Sequence, residues 1–285
     1  ALDAGISFVD TADIYNAGAA ETIVGKALQG RRDGVVLLSK VRWRVGPHQH
    51  KDQGLSRWHI LRGVEASLRR LQTDCLDILL LHSPDYETPL EESLAAADLL
   101  VRQGKVMYVG MSNYAAWQVC RAQWLCERHG LASPVVAQVP YNLLTRGIEA
   151  EFVPFCRAQR VAIMAYNPLA AGLLTGKHDP SQAPAEGTRF QLNQEYLGRY
   201  WLEANFDAVA ELGRIAQRAG KSLLQLALQW LLSREAVDAV ILGASRLEHL
   251  EQNIAAAEGT LEPETQAACD ELWTKIKGPS FQYNR

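Results

Sequence analysis

Seven short runs of β-branched and aliphatic residues recur along this chain, each followed by a longer stretch of helical periodicity. That alternation constrains the fold more than any other feature. The runs are ISFVD (6–10), VVLLSK (35–40), DILLLH (77–82), VMYVGMSN (106–113), VVAQV (135–139), VAIMAYNP (161–168) and DAVILGAS (238–245). Nearly all are apolar throughout, as strands covered on both faces must be, and their alternation with helices is the mark of parallel βαβ units. Helices are expected over residues 21–29, 56–71, 90–103, 115–129, 148–159, 206–219, 223–233, 246–257 and 262–277. In the second of these, Ile60, Val64, Leu68 and Leu71 recur at steps of three or four and make one apolar stripe, with Ser56 as its cap.

Seven parallel units are one short of a closed (β/α)8 TIM barrel. The chain opens on Ala1, in what reads as the last turn of a helix, so the expectation is an α/β barrel whose first strand lies upstream of this sequence. Such a barrel would carry open edges at the strands 6–10 and 240–242. No repeat, low-complexity tract or Pro/Ser-rich linker divides the chain, and residues 1–285 are read as one N-terminally truncated domain. The stretch 171–205, with Arg189, Phe190, Tyr196, Tyr200 and Trp201, has no regular period and reads as a lid or binding loop.

Composition excludes several function classes. Hydrophobic residues make up 48% and charged residues 21%, close to the globular average. The net charge of -3 leaves no basic surface to hold a phosphate backbone, which argues against nucleic acid. No apolar run reaches the roughly 18 residues that cross a bilayer, and the start has no signal pattern, so no membrane partner is expected and the protein reads as cytoplasmic. Five scattered cysteines, Cys75, Cys120, Cys126, Cys156 and Cys269, form no C-x-x-C pair and read as reduced, buried thiols. His48, His50, His59, His129 and His178 have no ligand spacing, so no metal is expected.

The chemistry is concentrated where the runs end. Their last residues are Asp10, Lys40, His82, Ser112 with Asn113, Gln138, Tyr166, and Gly243 with Ser245. In a parallel barrel the carboxyl ends of the strands share one rim, where active sites are built. Taken singly, each residue has an ordinary reading: Asp10 can cap a turn, Lys40 can be solvated, His82 and Tyr15 can be packed. Together a carboxylate, an amine, an imidazole and a phenol on adjacent strand ends make a proton-donating device. A phenol with its usual pKa of about 10 is a poor acid at neutral pH. A neighbouring ammonium favours the phenolate, and a carboxylate keeps that ammonium charged. Asp10 would thus hold Lys40 charged, Lys40 would make Tyr15 an acid, and His82 would orient a substrate oxygen.

The segments DTADIY, LLSK, LLLHSPD, GKVMYVGMSNY, AYNPLAAGLLTGK and ILGASRLEHLEQNI resemble, in order and spacing, the motifs of the aldo-keto reductase family. The likeness runs over essentially the whole chain. It implies a (β/α)8 barrel that transfers a hydride from a nicotinamide cofactor to the carbonyl of an aldehyde or ketone. By matching motifs, Asp10, Tyr15, Lys40 and His82 correspond to the family's catalytic tetrad, with Tyr15 as proton donor. Ser112, Asn113 and Gln138 match the positions that hold the carboxamide, and Tyr166 the aromatic that stacks on the nicotinamide ring. Asn167, Pro168, Leu169, Gly172 and Leu174 match the loop along the pyrophosphate.

Gly243, Ser245 and Arg246 match the motif that receives the adenosine phosphate, followed by His249, Gln252 and Asn253. Three positions depart from the family pattern: Gln252 where many relatives have Glu, His249 where Gln or Arg is common, and Leu242 where Pro often precedes the glycine. The residues themselves support a phosphate site. The segment SRLE, Ser245 to Glu248, has capping-box spacing, so a helix should begin there with open amides, and Arg246 adds a fixed charge. A 2'-phosphate suits that arrangement, which favours NADPH over NADH. For the substrate pocket Trp43, three residues past Lys40, is the candidate apolar wall, while residues 48–53 either line it or cover the rim. The alternative function is a cofactor-binding regulatory subunit, because potassium-channel β-subunits resemble the same family. Oligomeric state is not legible in the sequence.

Overall fold

The computed structural model describes residues 1–48 and 51–277, and the chain forms two compact units. The first comprises Ala1–Val139 and Phe155–Ala162, the second Pro140–Pro154 and Ile163–Arg285. His50, one of the histidines considered for metal binding, lies outside the described residues.

The first unit alternates strand and helix in the order β1 (Phe8–Asp10), α1 (Ala19–Ala27), β2 (Val36–Val41), α2 (Arg57–Leu71), β3 (Leu76–Leu81), α3 (Leu90–Arg102), β4 (Val106–Ser112), α4 (Ala116–His129) and β5 (Pro134–Pro140). Each strand pairs parallel with the next, β1 being the end strand with all three of its residues half-buried. Between the strands the helices form where the periodicity places them. In α2, Ser56 accepts from the His59 amide at 3.3 Å, and Ile60, Val64, Leu68 and Leu71 are all buried. One apolar stripe thus faces the sheet and one hydroxyl satisfies an otherwise open amide.

Lys40, Leu80, Gly110 and Val136 lie in one lateral row, each in register with the next. A Cβ on Gly110 would stand 2.4 Å from Val136 Cγ1, 2.5 Å from Leu80 Cδ2 and 2.6 Å from the Val136 carbonyl oxygen. Leu80 and Val136 therefore fold over a position that only glycine can occupy, and the β4–β5 register shifts between Val109 and Gly110. The Ser112 and Gln138 pair sits two residues further along this tightly packed layer.

The chain passes through α5 (Phe152–Gln159). The second unit then has β6 (Ala162–Tyr166), α6 (Arg189–Leu192), α7 (Gln194–Tyr200), α8 (Glu203–Arg218), α9 (Leu223–Leu232), β7 (Ala239–Ile241), α10 (Leu247–Ala257) and α11 (Pro263–Lys277). Strands β6 and β7 pair parallel, and β7 is the end strand here. The core gathers Trp230, Phe190, Tyr200, Leu173, Leu174 and Leu226. Among the described residues no helix is long and apolar enough to cross a membrane.

Two expectations need correction. Residues 171–205 are not an irregular lid: they include α6 and α7, capped by Thr188 and Asn193, and Phe190 and Tyr200 are 0% and 1% exposed. The helices are four and seven residues long, too short to show a 3.6-residue period. The thiols are not uniformly buried either. Cys126, Cys156 and Cys269 are, but Cys75 is half-buried and Cys120 is exposed on α4, and all five are free.

Gly110→Ala is expected to destabilise the fold by roughly 2–3 kcal/mol, since the Val136 carbonyl is backbone and cannot give way. Urea unfolding of the two proteins measures this, and equal midpoints would show that the row relaxes freely.

Candidate active site

The first unit brings Asp10, Tyr15, Lys40 and His82 together. Asp10 ends β1, Lys40 is the penultimate residue of β2, and His82 follows the last residue of β3. Tyr15 is delivered by a tight turn, Tyr15–Gly18, in which Asn16 (φ 49°), Ala17 (φ 53°) and Gly18 (φ 90°) are all left-handed. Three such residues in succession reverse the chain within one turn. The strain of a left-handed alanine is held in place by the surrounding packing.

The Lys40 side chain is fully buried, and its ammonium finds three acceptors. It donates to Asp10 Oδ2 at 2.5 Å, to the Thr11 carbonyl at 3.0 Å and to the Tyr15 hydroxyl at 3.4 Å. An ammonium has three protons, so each is used. The other carboxylate oxygen of Asp10 accepts from Gln138 Nε2 at 2.7 Å, which ties β5 to β1. Tyr15 is 39% exposed, whereas the Lys40 beside it is buried.

His82 is 8% exposed, and its Nδ1 is buried without a hydrogen-bond partner. Its ring meets Tyr15 edge-on, with centroids 5.8 Å apart, and Trp43 in the same manner at 6.4 Å. Burial first, then the charges of Lys40 and Arg42, push the imidazole pKa down to about 3. His82 is therefore neutral near pH 7, a hydrogen-bonding group rather than a cation. Trp43, 43% exposed, carries the Arg42 guanidinium over its ring at 4.5 Å. The following loop closes on itself through Asp52, which accepts from the His48 amide at 2.8 Å.

Ser112 and Gln138 are buried at the ends of β4 and β5. Asn113, left-handed at φ 64°, donates through Nδ2 to the His82 carbonyl and to Ser112 Oγ, both at 3.0 Å. Hydroxyl and amide groups at strand ends, beside an orphaned imidazole nitrogen, are a donor and acceptor set that fits a carboxamide. Behind the tetrad lies a polar layer that sequence reasoning missed. Glu21, fully buried, accepts from Ser39 Oγ at 2.5 Å and from Arg70 Nε at 2.7 Å. Asp13 is buried there as well. The end of the apolar run singles out Asp10 in DTADIY, and nothing in the sequence marks Asp13 as buried.

In the second unit Tyr166 ends β6, and its carbonyl accepts from the Tyr141 amide at 3.3 Å. The loop beyond it has Asn167, Ala170, Ala171 and Gly172 at φ 60°, 48°, 59° and 101°. Pro168 and Leu174 are buried, so they serve the loop as anchors, while Gly172 takes a backbone angle that other residues rarely adopt. Tyr200 organises the segment: its hydroxyl receives Asn167 Nδ2 at 2.9 Å and Asn142 Nδ2 at 3.3 Å. Asn167 Oδ1 in turn accepts from the Ala171 amide at 2.7 Å. The Tyr200 phenol is thus the pin that holds this loop.

The capping-box reading of SRLE is also corrected. Helix α10 begins at Leu247 with Arg246 as its extended N-cap and no side-chain cap bond, one residue later than that spacing requires. Ser245 then lies outside the helix, and the first-turn amides keep no side-chain acceptor from the cap. Gly243, Ser245, Arg246 and Gln252 are exposed, His249 is half-buried and Asn253 is buried. Open amides, a hydroxyl and a guanidinium at a helix start fit a phosphate better than a satisfied cap would.

The depressed His82 pKa has a consequence for stability. In the unfolded chain the imidazole takes up a proton below about pH 6.5, whereas the folded site refuses it down to about pH 3. The stabilisation from a neutral His82 is complete above pH 6.5 and lost as pH falls toward 3, with a slope of at most about 1.4 kcal/mol per pH unit. Denaturant unfolding of the wild type and His82→Gln at pH 7 and pH 4 checks this. The variant should lose less stability on acidification, and parallel losses would refute the assignment.

The sequence profile of the Aldo/keto reductase family matches residues 1–274. Aflatoxin B1 aldehyde reductase member 2 of Mus musculus is 38% identical over 299 aligned residues, covering 100% of this chain and 81% of that protein. Aldo-keto reductase family 7 member A3 of Homo sapiens is 38% identical, covering 100% of the chain and 89% of that protein. The probable voltage-gated potassium channel subunit beta of Arabidopsis thaliana is 36% identical over 262 residues, 90% of this chain and 79% of that protein. A family match over nearly the whole length, joined to seven parallel strands alternating with helices, decides the matter: the chain belongs to the aldo/keto reductase family and is an NAD(P)H-dependent carbonyl oxidoreductase of the (β/α)8 barrel class, with seven strands in the described residues.

Proposed function

We propose that the protein reduces the carbonyl of an aldehyde or ketone with NADPH, using Tyr15 as proton donor. Aldehydes are the first substrates to examine, given the names of its relatives. The observation that carries the reading is the buried Lys40 ammonium held between the Asp10 carboxylate and the Tyr15 hydroxyl. Bound NADPH supplies the hydride to the carbonyl carbon. As negative charge gathers on the carbonyl oxygen, Tyr15 gives that oxygen its proton, and Lys40 stabilises the phenolate left behind. Asp10 keeps Lys40 in place and charged, and neutral His82 hydrogen-bonds the same oxygen and orients it. Trp43 forms an apolar wall for the substrate.

The residues suited to the cofactor fall into two sets. In the first unit Ser112, Asn113 and Gln138 present polar groups for the nicotinamide carboxamide. In the second, Tyr166 offers a ring, the left-handed loop from Asn167 to Leu174 offers a rigid edge, and Ser245 with Arg246 offers a phosphate site. Gly243 leaves room there, since nothing lies within 4 Å of a Cβ built on it, and His249, Gln252 and Asn253 continue along α10. A regulatory-subunit reading rests on the likeness to the Arabidopsis channel subunit, and a protein that binds NADPH but never oxidises it with any aldehyde would favour it.

Tyr15→Phe is expected to lower turnover by about 10² to 10⁴, the usual contribution of a general acid, while the Kd for NADPH stays within about twofold. Surviving turnover would rule out Tyr15 as donor. Arg246→Ala should weaken NADPH binding roughly tenfold, the loss of one charge-assisted contact, and leave NADH unaffected. Equal effects on both cofactors, followed by fluorescence titration, would argue against a 2'-phosphate at this residue.

A further inference from the structure

Asp13 lies three residues after Asp10 and two before Tyr15, on the turn that delivers the phenol. Its amide donates to the Lys40 carbonyl at 3.2 Å, so it is tied to the strand end that carries the ammonium. The side chain is 1% exposed, and neither carboxyl oxygen has a hydrogen-bond partner. Gly63 of α2 packs beside it: a Cβ there would meet Asp13 Oδ2 in ordinary contact at 3.8 Å, and its clash would be with Val41 Cγ2 at 2.8 Å.

The charges around it can be matched one by one. From its own segment come Asp10 and Tyr15, from β2 Lys40, from α1 Glu21 and from α2 Arg70. Lys40 is paired with Asp10, and Arg70 with Glu21. Two cations are thus met by two carboxylates, and Asp13 is a third acid with no cation left to it. A buried carboxylate without a counter-ion of its own is unfavourable, and the group takes up a proton instead. Burial first, then the Glu21 charge, raise its pKa to about 7, against the opposing pull of Arg70, the Ile14 amide and Lys40.

We propose that Asp13 is a positioning residue that works as a neutral carboxylic acid, leaving the Lys40 charge directed at the Tyr15 oxygen, and that its ionisation weakens the proton-donating pair. The inference rests on the reading of Tyr15 as donor. When Asp13 loses its proton to solvent, the new negative charge acts on Lys40, offsets the cation that must stabilise the Tyr15 phenolate, and so slows reduction.

Asp13→Asn keeps the shape of the side chain and cannot ionise. Infrared spectroscopy of the wild type below neutral pH should show the carbonyl stretch of a protonated carboxylic acid that fades as pH rises through about 7, and the variant should lack it. Reductive turnover of the wild type at saturating NADPH and aldehyde should fall over the same pH range, and D13N should move that limb upward by roughly a pH unit or more. Glu21→Gln removes the repelling charge, lets Asp13 ionise earlier and should move the limb downward; this arm and the wild-type infrared titration stand even if D13N does not fold. A purely structural Asp13 would give no such opposed shifts. Absence of the protonated-carboxyl band, or D13N and E21Q limbs that coincide with the wild type, overturns the proposal. Failure of the Tyr15 reading would show separately, as turnover that survives in Y15F while the infrared band remains.

Discussion

A lysine side chain with no exposure to water sets the terms for the first unit. Lys40 sits inside a sheet layer so tight that its row neighbour Gly110 can carry no side chain. An isolated ammonium in such a place would shed its proton, and a charged one needs a counter-ion and full hydrogen bonding. Asp10, the Thr11 carbonyl and the Tyr15 hydroxyl meet that demand, and Gln138 steadies Asp10 from β5. The left-handed turn at residues 16–18 follows directly on Tyr15.

The same environment separates the roles of the titrating groups. His82 shares the site with a fixed positive charge and little water, and both disfavour its imidazolium. Asp13 is buried beside Glu21, and burial and that charge both disfavour its carboxylate. The two groups bend the pH dependence of stability in opposite senses. Neutral His82 favours folding at higher pH, whereas protonated Asp13 favours folding at lower pH and loses that advantage as pH rises through about 7. The second unit solves a different problem, holding a loop rich in left-handed residues, and does so with one phenol, Tyr200, bonded to Asn142 and Asn167.

What the sequence determined by itself was set by short-range physics. Strand and helix leave distinct periods, so all seven strands and nine of the helices fall where the pattern places them, including the Ser56 cap and the buried stripe of α2. That Asp10, Lys40 and His82 meet was legible because each lies at or just past a strand end, and parallel strands bring their ends to one side. Tertiary structure decided what depends on partners distant along the chain. The helices at 189–192 and 194–200 exist because Phe190 and Tyr200 are buried in a core, and their length is below what periodicity can reveal. That Asp13, three residues past Asp10, is sealed away unpaired depends on β2, α1 and α2 closing around it, since the cost of a buried charge is fixed by neighbours that no local window contains.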